Sequence, residues 1–82
     1  MFKPMLYIFE AGTDNDLEVP AAYGPRAVAR ALGQVFDGSD WDDRHRGLVA
    51  ELIADYTAGE DVFLDLVREL RRADLLVVKL GG

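Results

Sequence analysis

One histidine, one serine and a knot of aspartates come nearest, by type and spacing, to carrying chemistry. His45 is the only histidine, so a metal site built on two imidazoles is excluded. As a general base it would need a nucleophile. Ser39, the only serine, is better placed to cap a helix than to attack a carbonyl. Asp37, Asp40, Asp42 and Asp43 crowd one loop and helix start. Carboxylates that dense serve acid–base chemistry or Mg²⁺ where surrounding walls shift their pKa. A chain of 82 residues offers little cleft for that, and capping accounts for two of the four. Asp14, Asp16 and Glu18 have the spacing that opens a calcium loop, but Val19 and Pro25 stand where glycine and glutamate are required. Gly24-Pro25-Arg26 lacks the spacing and the lysine of a phosphate-cradling loop. No catalytic residue, no metal ligand and no cofactor is therefore expected.

Binding remains. The formal net charge is −6, from 15 acidic against 9 basic residues. Such a surface repels nucleic-acid phosphates and anionic lipid and favours a basic protein partner. Acidity also keeps a small protein soluble. Trp41, ringed by aspartates, is the residue type most enriched at the energetic centre of interfaces, and its other role is to close one end of a core. The expected partner-binding set is Asp37, Asp40, Trp41, Asp42, Asp43, Glu51 and Asp55. Its expected occupant is a basic surface of a protein or ribonucleoprotein complex, with no direct contact to nucleic acid or membrane.

These residues must be positioned by a helix over Ser39 to Tyr56. Trp41, Leu48, Val49, Leu52, Ile53 and Tyr56 fall on one helical face, Ser39 or Asp40 caps the start, and Gly59 stops it. Asp40 with Arg44 and Asp42 with Arg46 are acid-before-base pairs four apart. A preceding helix starts at Pro25 and buries Val28, Ala31, Leu32, Val35 and Phe36, with Gly33 marking either close packing or an early end. A following helix opens at Asp61, buries Val62, Phe63, Leu66, Val67 and Leu70, and closes on Arg71 and Arg72. Met5 to Glu10 and Leu75 to Leu80 are short branched or aromatic runs that read as buried strands, neighbours in one sheet. Leu17 to Val19 is a short return strand ending at Pro20, reached through the turn chemistry of Gly12 to Asp16. Tyr7, Phe9 and Tyr23 are expected in the core or at its rim.

The fold class is thus α+β in the order β-(β)-α-α-α-β, with a two- or three-stranded sheet and three helices on one face. One compact domain over 1–82 is expected, as monomer or homodimer. Cysteine is absent, which excludes disulfides and thiolate zinc sites. With no leader and no apolar run near 18 residues, the expected setting is the cytoplasm.

Two likenesses bear on function. In size, acidity and lack of cysteine the chain is similar to phage-encoded inhibitors such as anti-CRISPR proteins, which implies a non-catalytic inhibitor that covers a basic, nucleic-acid-binding surface. The ending Val78-Lys79-Leu80-Gly81-Gly82 resembles the tail of ubiquitin-like and sulfur-carrier proteins, which implies activation of the terminal carboxylate. Those folds have further strands where this chain has helical periodicity from Trp41 to Ala73. A small homo-oligomeric accessory subunit is the remaining alternative.

Overall fold

The computed structural model describes residues 5–19, 23–38 and 40–80. In chain order the elements are β1 (Met5–Glu10), β2 (Asp16–Val19), α1 (Pro25–Val35), α2 (Asp43–Thr57), α3 (Phe63–Arg71) and β3 (Leu75–Leu80). The expected α+β order is the observed one. The sheet has strand order β2-β1-β3, antiparallel throughout. Tyr7 lies opposite both Glu18 and Val78, and Ile8 opposite both Leu17 and Val77.

Period-two alternation decides the faces of the sheet. Leu6, Ile8, Val19 and Leu75 are fully buried, and Val77 packs against the same cluster. Val28 and Leu32 from α1, Phe36 just after it, Val49, Ala50 and Ile53 from α2, and Leu66, Leu70 and Ala73 from α3 and its end complete that core. Tyr7 and Phe9 belong to the other face. They stack on each other at 5.5 Å rather than on the core, because odd positions of β1 point away from the helices. Tyr23 is largely exposed, so the placement of these three in the core or its rim fails.

The first turn is held by hydrogen bonds among Glu10, Thr13 and Asn15, through side chains as well as backbone. The Asn15 amide donates to Thr13 Oγ1 at 3.1 Å, and Thr13 Oγ1 and Asn15 Nδ2 both donate to Glu10 Oε1 at 3.0 Å. Gly12 supplies the positive φ of 83°. At the far end of α2, Gly59 takes φ 104° and stops the helix as expected.

Helix starts are where expectation and structure part. α2 begins at Asp43, not Ser39, so Trp41 precedes the helix. Its N-cap is Asp42, whose carboxylate accepts from the His45 amide at 2.8 Å. Asp42 is thereby committed to the backbone, and Arg46 pairs instead with Asp43, Nη1 to Oδ1 at 2.7 Å. Neither expected four-apart ion pair forms. Leu48, assigned to the apolar stripe, is 45% exposed. α3 starts at Phe63 after Val62, two residues beyond Asp61, with no side-chain cap. Ser39 as a cap, Pro20 as a strand end and the Gly81-Gly82 tail all lie outside the described residues.

Candidate functional site

The structure gathers Trp41, His45, Arg46, Glu69 and Arg72 where the N-terminal end of α2 meets α3. Asp42 fixes the path of the chain into the helix, and that path lays the Trp41 indole edge-on to His45, with ring centroids 6.0 Å apart. Trp41 also packs against the core, and the Arg46 guanidinium lies 5.5 Å from its ring centroid. That distance suits a cation over an aromatic face. The same Arg46 side chain lies against Gly33 of α1. A Cβ at Gly33 would lie 3.4 Å from Arg46 Cζ and Nε. α1 runs through Gly33 to Val35, so the glycine does not end the helix, and its neighbour across the contact is the Arg46 side chain.

His45 Nε2 approaches Glu69 Oε1 at 3.2 Å, joining α2 to α3, and Arg72 Nη1 reaches the same oxygen at 3.2 Å. The imidazole is close enough for an ion pair, but its N–H is not aligned for a hydrogen bond. Trp41 Nε1 and Arg46 Nε likewise have no acceptor among the described residues. An open depression beside this cluster is lined by Asp40, Trp41, Asp42, His45 and Arg72, and it continues past Arg44, Leu48 and Glu69. His45 has the Glu69 carboxylate and the Trp41 indole for neighbours.

The sequence-predicted residues divide into groups. Asp40, Trp41 and Asp42 share the depression. Asp43, Glu51 and Asp55 are exposed along the outer side of α2, and Asp37 is exposed in the loop before it. Asp37, Asp40, Glu51 and Asp55 make no ion pair among the described residues, whereas Asp42 and Asp43 are engaged as above. Sequence reasoning missed His45, Leu48, Glu69 and Arg72 as parts of the same surface. Glu69 and Arg72 belong to another helix, and nothing in local spacing signals which residues of α3 meet α2.

Among the described residues, no three His, Asp or Glu side chains converge to hold a metal ion, and no helix is long and apolar enough to cross a membrane. At the turn with calcium-like spacing, Asp16 instead accepts the Tyr7 hydroxyl at 2.8 Å. That hydrogen bond, with smaller effects of burial and of the Asp16 and Glu18 charges, raises the Tyr7 pKa above its ordinary 10.0. No family model matches the chain, no curated protein matches its sequence, and no solved structure matches it.

Proposed function

We propose that this is a non-catalytic binding protein whose acidic, Trp41-headed face docks on a basic surface of a protein or ribonucleoprotein complex. Such a protein acts by occupying a surface that otherwise holds nucleic acid, as phage-encoded inhibitors such as anti-CRISPR proteins do. The observation that carries this reading is the set of unpaired carboxylates. Asp37, Asp40, Glu51 and Asp55 are exposed and make no ion pair among the described residues; Asp40 borders the depression lined by Trp41, which is anchored on the core, and Glu51 and Asp55 continue the acidic face along α2. Free carboxylates at a rim steer a cationic partner and set the association rate, and a fixed aromatic supplies contact area with little loss of side-chain entropy. Arg44 and Arg72 border the depression, so the partner carries a carboxylate or carbonyl among its cations there.

The test is capture from lysate on immobilised protein across a salt series. Identified partners should be basic, and raising salt from about 50 to 500 mM should release them as the Debye length shortens. The triple variant Asp40→Asn, Glu51→Gln, Asp55→Asn should lose capture at low salt while keeping its melting temperature. Capture indifferent to both salt and these substitutions would overturn the reading.

A further inference from the structure

One face of the sheet carries no described helix. Leu6, Ile8, Val19, Leu75 and Val77 turn toward the three helices and the core, so the residues between them turn the other way. On that outer side Tyr7 sits between Glu18 and Val78, and Phe9 between Asp16 and Leu76. Met5, Tyr7, Phe9, Leu76 and Val78 all stand apart from the core cluster. Val78 is 45% exposed, and the other four are half-buried. A strand with water on one side alternates apolar with polar residues, whereas an unbroken apolar run marks a strand covered on both. β1 is apolar from Met5 to Phe9, and β3 from Leu75 to Val78. These are the strands of a sheet with two covers, and the described helices supply one.

Charge on the outer side has one sign. Asp16 and Glu18 of β2 are exposed and make no ion pair among the described residues. Asp16 accepts the Tyr7 hydroxyl at 2.8 Å, so its carboxylate stands at the border of the aromatic row. Lys79 is the one cation on the described strands. It pairs with Leu6 in the ladder and lies 4.7 Å from the Phe63 ring centroid, which places it on the helical side. The outer face is therefore apolar over β1 and β3 and acidic along β2, with no cation among its described residues.

We propose that this face docks one amphipathic helix of a partner protein, apolar where it meets β1 and β3 and bearing lysine or arginine along the flank above β2. The charge pattern selects the occupant, since only a cationic flank complements Asp16 and Glu18. The dimensions agree. Three strands place their outer axes roughly 10 Å apart, and a helix with its side chains is about 10–12 Å across. Six-residue strands run about 20 Å, the length of roughly 13 residues of helix. A second copy of the chain brings the same carboxylates and no described cation to meet them. A two-fold axis along the strands sets the acids of each β2 over the apolar β3 of the other copy. An axis across the strands sets acid over acid. Either arrangement desolvates or opposes like charges that a basic helix would neutralise.

The test titrates the full ¹⁵N-labelled chain at about 150 mM salt with a capped leucine–lysine peptide of about four helical turns, its leucines on one face. Amide shifts centred on residues 5–9, 16–18 and 76–78 are expected, with at least tenfold weaker binding of the leucine–glutamate counterpart. Asp16→Asn with Glu18→Gln should weaken binding at least threefold. Val78→Lys, at an exposed position of an edge strand, should weaken it at least fivefold. Glu51→Gln with Asp55→Asn should leave these shifts in place, so failure here is distinct from failure of the docking face on α2. Any of four results overturns the proposal: no shift over 76–78 at millimolar peptide, shifts confined to 43–57, equal binding of the leucine–glutamate peptide, or a two-copy sedimentation mass for the chain alone.

Discussion

Replacing Asp42 by alanine tests the step on which the geometry of the site depends. The Asp42 carboxylate satisfies the His45 amide, one of the four N–H groups that the first turn of α2 cannot satisfy internally. Loss of such a cap costs about 1 kcal/mol, within a range of roughly 0.5–2. A carboxylate beside the positive end of the helix adds a few tenths more. For a domain of this size, 1 kcal/mol lowers the melting temperature by about 4–8 °C. Asp40 is exposed and bonds to nothing described, so Asp40→Ala should stay within about 0.5 kcal/mol of the parent. Asp42→Ser, which keeps an acceptor at the cap, should recover most of the loss. Thermal unfolding followed by circular dichroism measures all three. Trp41 emission below the transition supplies a second reading, because fraying of the first turn frees the indole from His45 and shifts its fluorescence to the red. If Asp40→Ala costs as much as Asp42→Ala, or if serine recovers nothing, the helix does not begin where the structure starts it. The assembly of Trp41, His45 and Arg46 would then need another cause.

Two further outcomes follow from single contacts. Gly33→Ala should stabilise the fold by about 0.5–1 kcal/mol in urea unfolding, since alanine removes the helix penalty of glycine and its Cβ meets only the far end of Arg46, at 3.4 Å; a lowered midpoint would show that Arg46 cannot yield. Titrating tyrosine absorbance near 295 nm should show one group ionising above the ordinary 10.0, absent in Tyr7→Phe and lowered in Asp16→Asn, whose hydrogen bond is the main cause of the shift. Because the folded value is the higher one, the stability this bond contributes is present below pH 10.0 and fades as pH climbs through the folded pKa.

Periodicity carried the architecture. The runs at Met5–Glu10 and Leu75–Leu80 alternate or branch as strands must, Pro25 starts α1, and Gly59 ends α2, each a local rule that tertiary packing had no reason to override. What misled was the richness of possible caps before α2. Asp40, Asp42 and Asp43 all satisfy the rule, and the structure uses Asp42, with Trp41 just before it packed against the core. Leu48 matched the helical period yet lies 45% exposed, because the stripe is set by where α1, α3 and the sheet actually sit. The partners of His45 were illegible for a related reason. Glu69 and Arg72 reach it across an interhelical contact that no spacing within α2 encodes.

That same contact bears on how the net charge should be used. A value of −6 treats the surface as one sign, and on that basis the whole molecule repels anionic partners. The fold sorts the charges instead. α2 turns Asp43, Glu51 and Asp55 outward with Arg44, whereas α3 sends Arg68 and Arg71 outward with Asp65 and keeps its one half-buried carboxylate, Glu69, for His45 and Arg72. At physiological ionic strength the Debye length is about 8 Å, less than the separation expected between opposite sides of a body whose extents are 35 × 24 × 21 Å. Each side therefore presents its own potential to a partner at contact distance. A cationic surface meeting α2 is thus compatible with the exposed cations that α3 carries, and Glu51→Gln with Asp55→Asn should weaken its capture while Arg68→Gln leaves it unchanged.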